Sequence, residues 1–322
     1  MQVDEAAIAR AIETGIRPAL AHIEATRRGS LMLAKIVAAV IFGFFGVVAL
    51  ILGGLISVWL AVAALAVGAL LAGVTALLMV RLYRGVARSV MVPPLAEAIG
   101  GMTYAQSAEG FNAEGVAGLG ILPTAQRVTA EDMIVGTHRG TGFRMVELSC
   151  YIHARGGQAR DPRRRQRLKR IWRGLVVEVD VPVQFEGPVL LARDRGTLAR
   201  WAAGHPAAGR GLSKVSFPHA AFSQAFEVFA ANPAEAERLI TPELAESLVA
   251  LSRARPGKAL AAAFARGVFL LTIPLPRGFL DQGSLFQPAD RLLDRVPAIL
   301  RELTLPHRVI DYLMGDRPGD LL

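Results

Sequence analysis

The chain has a single cysteine and four lysines among its 322 residues, and no charged residue at all between Ile36 and Val80. A lone thiol, Cys150, excludes an intramolecular disulfide and agrees with a reducing compartment. The shortage of lysine beside 32 arginines reads as coding bias before it reads as chemistry. Catalytic signatures are missing as well. There is no Gly-x-Ser-x-Gly elbow. Pro256-Gly257-Lys258-Ala259 lacks the upstream glycine and the following hydroxyl of a phosphate loop. Gly118 and Gly120, like Gly140 and Gly142, stand without the rest of a dinucleotide fingerprint. These gaps lean the reading away from an enzyme and imply no cofactor.

The charge-free run of 45 residues is the strongest positive feature. As one helix it would be about 68 Å long, whereas about 20 residues cross the roughly 30 Å hydrocarbon core of a bilayer. The run therefore predicts two transmembrane helices, Leu31–Leu52 and Ser57–Val80, joined near Gly53-Gly54. Arg17, Arg27, Arg28 and Lys35 flank the first span, Arg81, Arg84 and Arg88 follow the second, and the turn has no base. Because positive flanks face the cytoplasm, both termini are expected there. Ala64, Gly68, Ala72 and Ala76 form a small-residue stripe that lets helices approach closely. Packing within the hairpin is favoured over oligomerisation, since the two helices are already tethered. Only Ser57 and Thr75 offer polar groups within the run, too little for an ion path.

Ahead of the spans, Ile8, Ile12, Ile16, Leu20 and Ile23 mark an amphipathic helix with Asp4 as N-cap and a kink at Pro18. These first 30 residues mix acids and bases and do not read as a signal peptide. Beyond the spans the helix is expected to continue to Gly100-Gly101, and Met102–Thr129 reads as an irregular connector. Strands are then expected at Asp132–Thr137 and Gly142–His153 around the turn His138–Thr141. Further strands are read at Leu175–Val181, Val189–Ala192, Leu212–Phe217, Ala225–Ala230, Leu260–Ala265 and Val268–Pro274. Asn232-Pro233 and Thr241-Pro242 start helices, and one amphipathic helix covers Ala289–Leu303. The fold class is α+β: a two-helix transmembrane hairpin followed by a cytoplasmic antiparallel-sheet domain with late helices. By residue number the organisation is an amphipathic helix at 1–30, the hairpin at 31–80, a juxtamembrane helix and connector at 81–128, the domain at 129–314 and a tail at 315–322.

Glu131-Asp132-Met133-Ile134-Val135-Gly136 with Phe143 and Glu147 resembles the E-D-x-I-x-G, F, E core of bacterial membrane proteins grouped as domain of unknown function 3137. Ile171-Trp172-Arg173-Gly174-Leu175-Val176-Val177, Phe185-Glu186-Gly187, Phe226-Glu227-Val228-Phe229 and Leu239–Leu244 are similar to later blocks of that family, from about Ala98 to Leu313. The family's D-F-N-K appears here as Asp180-Val181-Pro182-Val183. The resemblance implies a bacterial inner-membrane location and a cytoplasmic domain, and brings no activity with it.

One electrostatic feature stands out. Arg155–Arg173 holds nine bases against Asp161, nearly the whole formal charge of +9. Arg160, Arg163, Arg164, Arg165, Arg167, Lys169, Arg170 and Arg173 are the candidate contacts to anionic lipid or an acidic protein partner. A solvated loop is the plain alternative, and nucleic acid is disfavoured because only Trp172 accompanies the run. Glu147, Cys150 and His153 suit zinc chemically, but strand alternation turns Cys150 away from the other two, so no metal site is expected. Glu131-Asp132 is read as a turn cap before a strand. The leading reading is a membrane-anchored, non-enzymatic binding module. An enzyme with an unrecognised site and a component of a small transport assembly are the alternatives.

Overall fold

The computed structural model describes residues 4–153, 168–181, 184–192, 211–254, 260–275, 278–280 and 284–316. They fall into a helical unit, Asp4–Ala98 with Leu280–Ile299, and a sheet unit, Ile99–Phe279 with Leu300–Leu322. The fold is α+β, with an N-terminal pair of long apolar helices and an antiparallel sheet.

In the helical unit, helix α1 (Glu5–Arg10) is capped by Asp4, whose carboxylate accepts the Ala6 and Ala7 amides at 3.0 and 3.2 Å. A π-helical stretch, Ala11–Ile16, leads into α2 (Arg17–Leu55). Pro18 thus follows directly on the π-helical stretch inside one continuous helix, so its missing N–H interrupts the bond ladder where the irregularity falls. Helix α3 (Val58–Ile99) runs through Pro93 and Pro94 and stops at Gly100 and Gly101, both at positive φ. The break between the long helices falls at Ile56-Ser57 rather than at Gly53-Gly54. Ser57 Oγ accepts the Trp59 amide at 3.3 Å and starts α3. Gly53 serves close packing instead: a Cβ there would lie 3.2 Å from that of Ala61. Between Met32 and Leu82 these helices expose most of their large apolar side chains, Leu50 at 78% and Trp59 at 82% among them.

The sheet unit runs β1 (Met102–Ser107), α4 (Ala113–Gly118), β2 (Arg127–His138), β3 (Thr141–His153), β4 (Leu168–Asp180), β5 (Val189–Ala192) and β6 (Ser213–Val215). It continues with α5 (Ala220–Ala225), β7 (Glu227–Ala230), α6 (Pro233–Leu239), α7 (Pro242–Ala254), β8 (Ala261–Ala265) and β9 (Val268–Pro274). After a 3-10 turn at Ala289–Arg295 come α8 (Val296–Leu303) and α9 (Leu305–Leu313). Among the described residues the nine strands lie in the order β1-β2-β3-β4-β9-β8-β5-β7-β6, every pairing antiparallel.

Two hairpin turns set the register. Arg139-Gly140 and Arg266-Gly267 each place both central residues at positive φ, the geometry that matches the twist of paired strands. Both faces of the central strands are covered. Val146, Leu148, Cys150 and Val176 pack with Phe111, Val116, Ile121 and Leu122 from the segment around α4. Helix α9 packs on β3 and β4, and α7 packs on α9. Full burial of such a side chain is worth about 1.5–3 kcal/mol. Gly174 is required by a close approach: a Cβ there would strike the Ile273 carbonyl oxygen and meet the Trp172 ring at 2.8 Å.

Several elements differ from the sequence reading. Met102–Thr129 contains an edge strand and a helix, and one helix at Ala289–Leu303 becomes a 3-10 turn followed by α8, with Pro297 at the change. Ala220–Ala225 is helical ahead of the shorter strand β7, and α9 has no counterpart in the reading.

Candidate functional site

Polar side chains converge on one face of the sheet unit. Glu147 stands opposite Leu175 in the β3–β4 ladder, which makes Arg173 its diagonal neighbour on the same face. The Arg173 Nε–H donates to one Glu147 oxygen, and the Phe279 amide donates to the other at 2.6 Å. Only 3% of the Glu147 side chain is exposed, and burial pushes its pKa up against the opposing pull of Arg173. Asp132 lies nearby at a register shift between Glu131 and Ile134, with φ 53°. Tyr104 donates its hydroxyl to Asp132 at 2.6 Å. Asp132 is therefore a buried residue inside a bulged strand, which corrects its reading as a cap before the strand. Each Glu147 oxygen already accepts a donor from the protein, an arrangement suited to holding strands in place.

A second cluster joins the β2–β3 turn to α9. His138 Nε2 bonds Asp311 at 2.8 Å, and Arg139 reaches Asp311 at 3.4 Å and also pairs with Asp316. The His307 ring stacks on His138 at 4.2 Å and meets Phe143 edge-on at 5.5 Å. Burial, helped by the neighbouring His138, lowers the His307 pKa to about 4, so its ring is neutral near pH 7. The sequence reading places His138 in a turn and gives His307 no partner. Their signal lay in topology, because 169 residues separate them.

A cavity of about 480 Å³ opens beside α5 and α7, walled by Phe217, Pro218, His219, Glu237, Ile240, Pro242 and Ala245. His219 Nδ1 is occupied in accepting the Phe222 amide at 3.2 Å. The cavity thus presents largely apolar walls with the Glu237 carboxylate among them.

The basic run divides. Arg160, Arg163, Arg164, Arg165 and Arg167 lie outside the described residues, between His153 and Leu168, which pair with each other at the end of the β3–β4 ladder. Lys169 and Arg170 are exposed on β4, whereas Arg173 turns inward to Glu147. Glu147 and Cys150 sit on opposite faces, Cys150 among apolar side chains that raise its thiol to about 11 and His153 exposed. Among the described residues no three His, Cys, Asp or Glu side chains are grouped to hold a metal ion.

In the helical unit, Ala64 and Gly68 of the stripe are buried, Ala72 is half-buried and Ala76 is exposed. A Cβ on Gly68 would lie 3.0 Å from that of Phe45, so the stripe's first half seats the preceding helix. Thr75 donates its hydroxyl to the Leu71 carbonyl of its own helix at 2.9 Å.

Residues 170–314 match the family model described as protein of unknown function (DUF3137). This bears out the resemblance read from Ile171–Val177, Phe226–Phe229 and Leu239–Leu244, which all fall within the matched stretch. No curated protein matches the chain. Among solved structures, the crystal structure of the mycobacterial trehalose monomycolate transport factor A, TtfA, is similar at 13% identity and a TM-score of 0.35, over 73% of this chain and 97% of that one.

Proposed function

We propose that this protein is a membrane-anchored binding module. Helices α2 and α3 span a bacterial inner membrane as a hairpin, both termini face the cytoplasm, and the sheet unit engages the anionic lipid surface or a protein partner without catalysing a reaction. The observation that carries the reading is the exposed apolar surface of Met32–Leu82, a charge-poor expanse that water would not tolerate on a folded protein. Flanking bases at Arg27, Arg28, Arg81, Arg84 and Arg88, with none in the turn, support the orientation. Thr75 is bonded to its own helix, which favours an anchor over a conduit.

Within this reading the run from Arg160 to Arg170 is the lipid contact, each base near an anionic surface contributing about 1 kcal/mol within a Debye length. Arg173 is committed to Glu147 and contributes little to that contact. The test is hydrogen exchange of full-length protein reconstituted in vesicles. Amides around Lys169 and Arg170 are expected to exchange several-fold more slowly with anionic than with zwitterionic lipid, and the difference is expected to vanish at high salt. Neutralising Arg163, Arg164, Arg165 and Arg167 is expected to abolish it. Equal exchange in both lipids would remove the lipid role and leave a protein partner as the ligand of this module.

A further inference from the structure

Within the helical unit, Leu280–Ile299 is fastened to the foot of α2 by a half-buried polar clamp. Arg27 Nη1 donates to the Leu285 carbonyl at 3.2 Å, and the Ala289 amide donates to the Glu24 carboxylate at 3.1 Å. Glu24 is itself gripped by Arg27 at 2.7 and 2.6 Å and by Arg28 at 2.8 Å. The Arg27 and Glu24 side chains are only 14% and 22% exposed. The Arg27 guanidinium, with further donors from Arg28 and Ala289, holds the Glu24 carboxyl well below the usual carboxylate range despite burial.

The depth of this clamp follows from helix geometry. Arg27 precedes Leu31, the start of the first span, by four residues, or about 6 Å along the axis. On α3, Tyr83 is 1% exposed and close enough to the clamp for Arg27 and Glu24 to bear on its hydroxyl. It lies three residues beyond Val80, or about 4.5 Å. Both helices therefore put the clamp at one level, about 4.5–6 Å outside the hydrocarbon, where the headgroup layer lies.

Phe286 is the residue next to the clamped Leu285 carbonyl, and its amide is bonded to Ser284 Oγ at 3.2 Å. It is 74% exposed, whereas the other exposed large apolar side chains outside Met32–Leu82 reach at most 39% among the described residues. At this end of the helix pair the first exposed large apolar residues are Met32 at 65% and Leu82 at 62%.

We propose that Phe286 is an interfacial anchor: the Glu24–Arg27 clamp holds the Ser284–Ala289 loop against the foot of the hairpin so that the Phe286 ring enters the headgroup-to-acyl boundary of the bilayer. The proposal rests on the anchor reading above. It adds a third, non-helical point of membrane contact, supplied by the chain some 200 residues after the second span. An aromatic ring at this depth loses apolar exposure and leaves the flanking polar backbone in the headgroups.

The test uses the full chain in lipid vesicles with no other protein present. Cys150→Ala removes the native thiol, and an environment-sensitive fluorophore is placed by Phe286→Cys or, within the second span, by Leu65→Cys. Nitroxide lipids labelled near the headgroup are expected to quench position 286 at least twofold more than lipids labelled near the chain end. The opposite order is expected at position 65. Adding Glu24→Ala and Arg27→Ala is expected to abolish quenching at 286 and spare it at 65. An unquenched 286 beside a quenched 65 would overturn this proposal and leave the hairpin standing. Quenching at neither position would overturn the anchor itself. Quenching at 286 that survives loss of the clamp would overturn the clamp's part in setting its depth.

Discussion

Glu147→Ala is expected to destabilise the sheet unit by about 3–5 kcal/mol, the cost of removing one partner from a buried ion pair. The loss is large because two groups are stranded together. The Arg173 guanidinium, 23% exposed, would face a sheet surface without its carboxylate, and the Phe279 amide would lose its acceptor. Against a typical total of about 5–15 kcal/mol, that leaves little stability for the fold. Arg144→Ala breaks an ion pair with Glu178 on the same two strands, but the Arg144 side chain is 44% exposed. Its expected cost is below about 1 kcal/mol. Denaturant unfolding followed by the strand signal in circular dichroism compares the two. Equal midpoints would mean that the Glu147–Arg173 pair does not hold the sheet together.

Acid is expected to loosen the same unit through His307. Its folded pKa of about 4 lies below the 6.5 of an exposed imidazole, so between those values the unfolded chain binds a proton that the folded chain refuses. The stability is complete above about pH 6.5 and is lost as pH falls towards 4, a total of about 3 kcal/mol for this one ring. The groups around it are His138 from the β2–β3 turn, Asp311 and Arg308 on its own helix, and Phe143 on β3. His307→Phe keeps a ring to stack on His138 and cannot be protonated. The variant's unfolding midpoint is expected to fall much less between pH 7 and pH 5 than that of the parent. An unchanged slope would assign the acid lability to other groups.

How far the sequence foretold these features depended on how local their causes are. The hairpins at Arg139-Gly140 and Arg266-Gly267, and the cap at Asn232, whose side chain accepts the Ala234 amide at 3.1 Å, are fixed within four residues and were legible. The charge-free run was legible because composition alone defines it. Strand β1 was not, since it buries only Met102 and owes its form to pairing with β2. Helix α9 was hidden because its apolar residues follow those of α8 with only Thr304 between them, although Pro306 marks its first turn. Arg173 was counted with a solvated basic run because sequence groups charges by proximity. Strand alternation turns it onto Glu147, 26 residues away. The Glu24 clamp joins residues about 260 apart and left no local signal.

The clamp, the ion pair and the histidine stack share a physical logic. Each occupies polar groups inside one unit with donors and acceptors from distant parts of the chain.

The central claim, a hairpin that holds both termini in the cytoplasm, is tested most directly by thiol accessibility in intact bacterial cells. On a Cys150→Ala background, cysteines are placed one at a time by Gly54→Cys, near the break between the long helices, and by Met314→Cys, beyond α9. A membrane-impermeant maleimide is expected to label position 54 in intact cells and to reach position 314 only after lysis. Labelling of position 314 in intact cells would contradict the orientation, and labelling of neither site before lysis but both after it would contradict a hairpin that crosses the membrane.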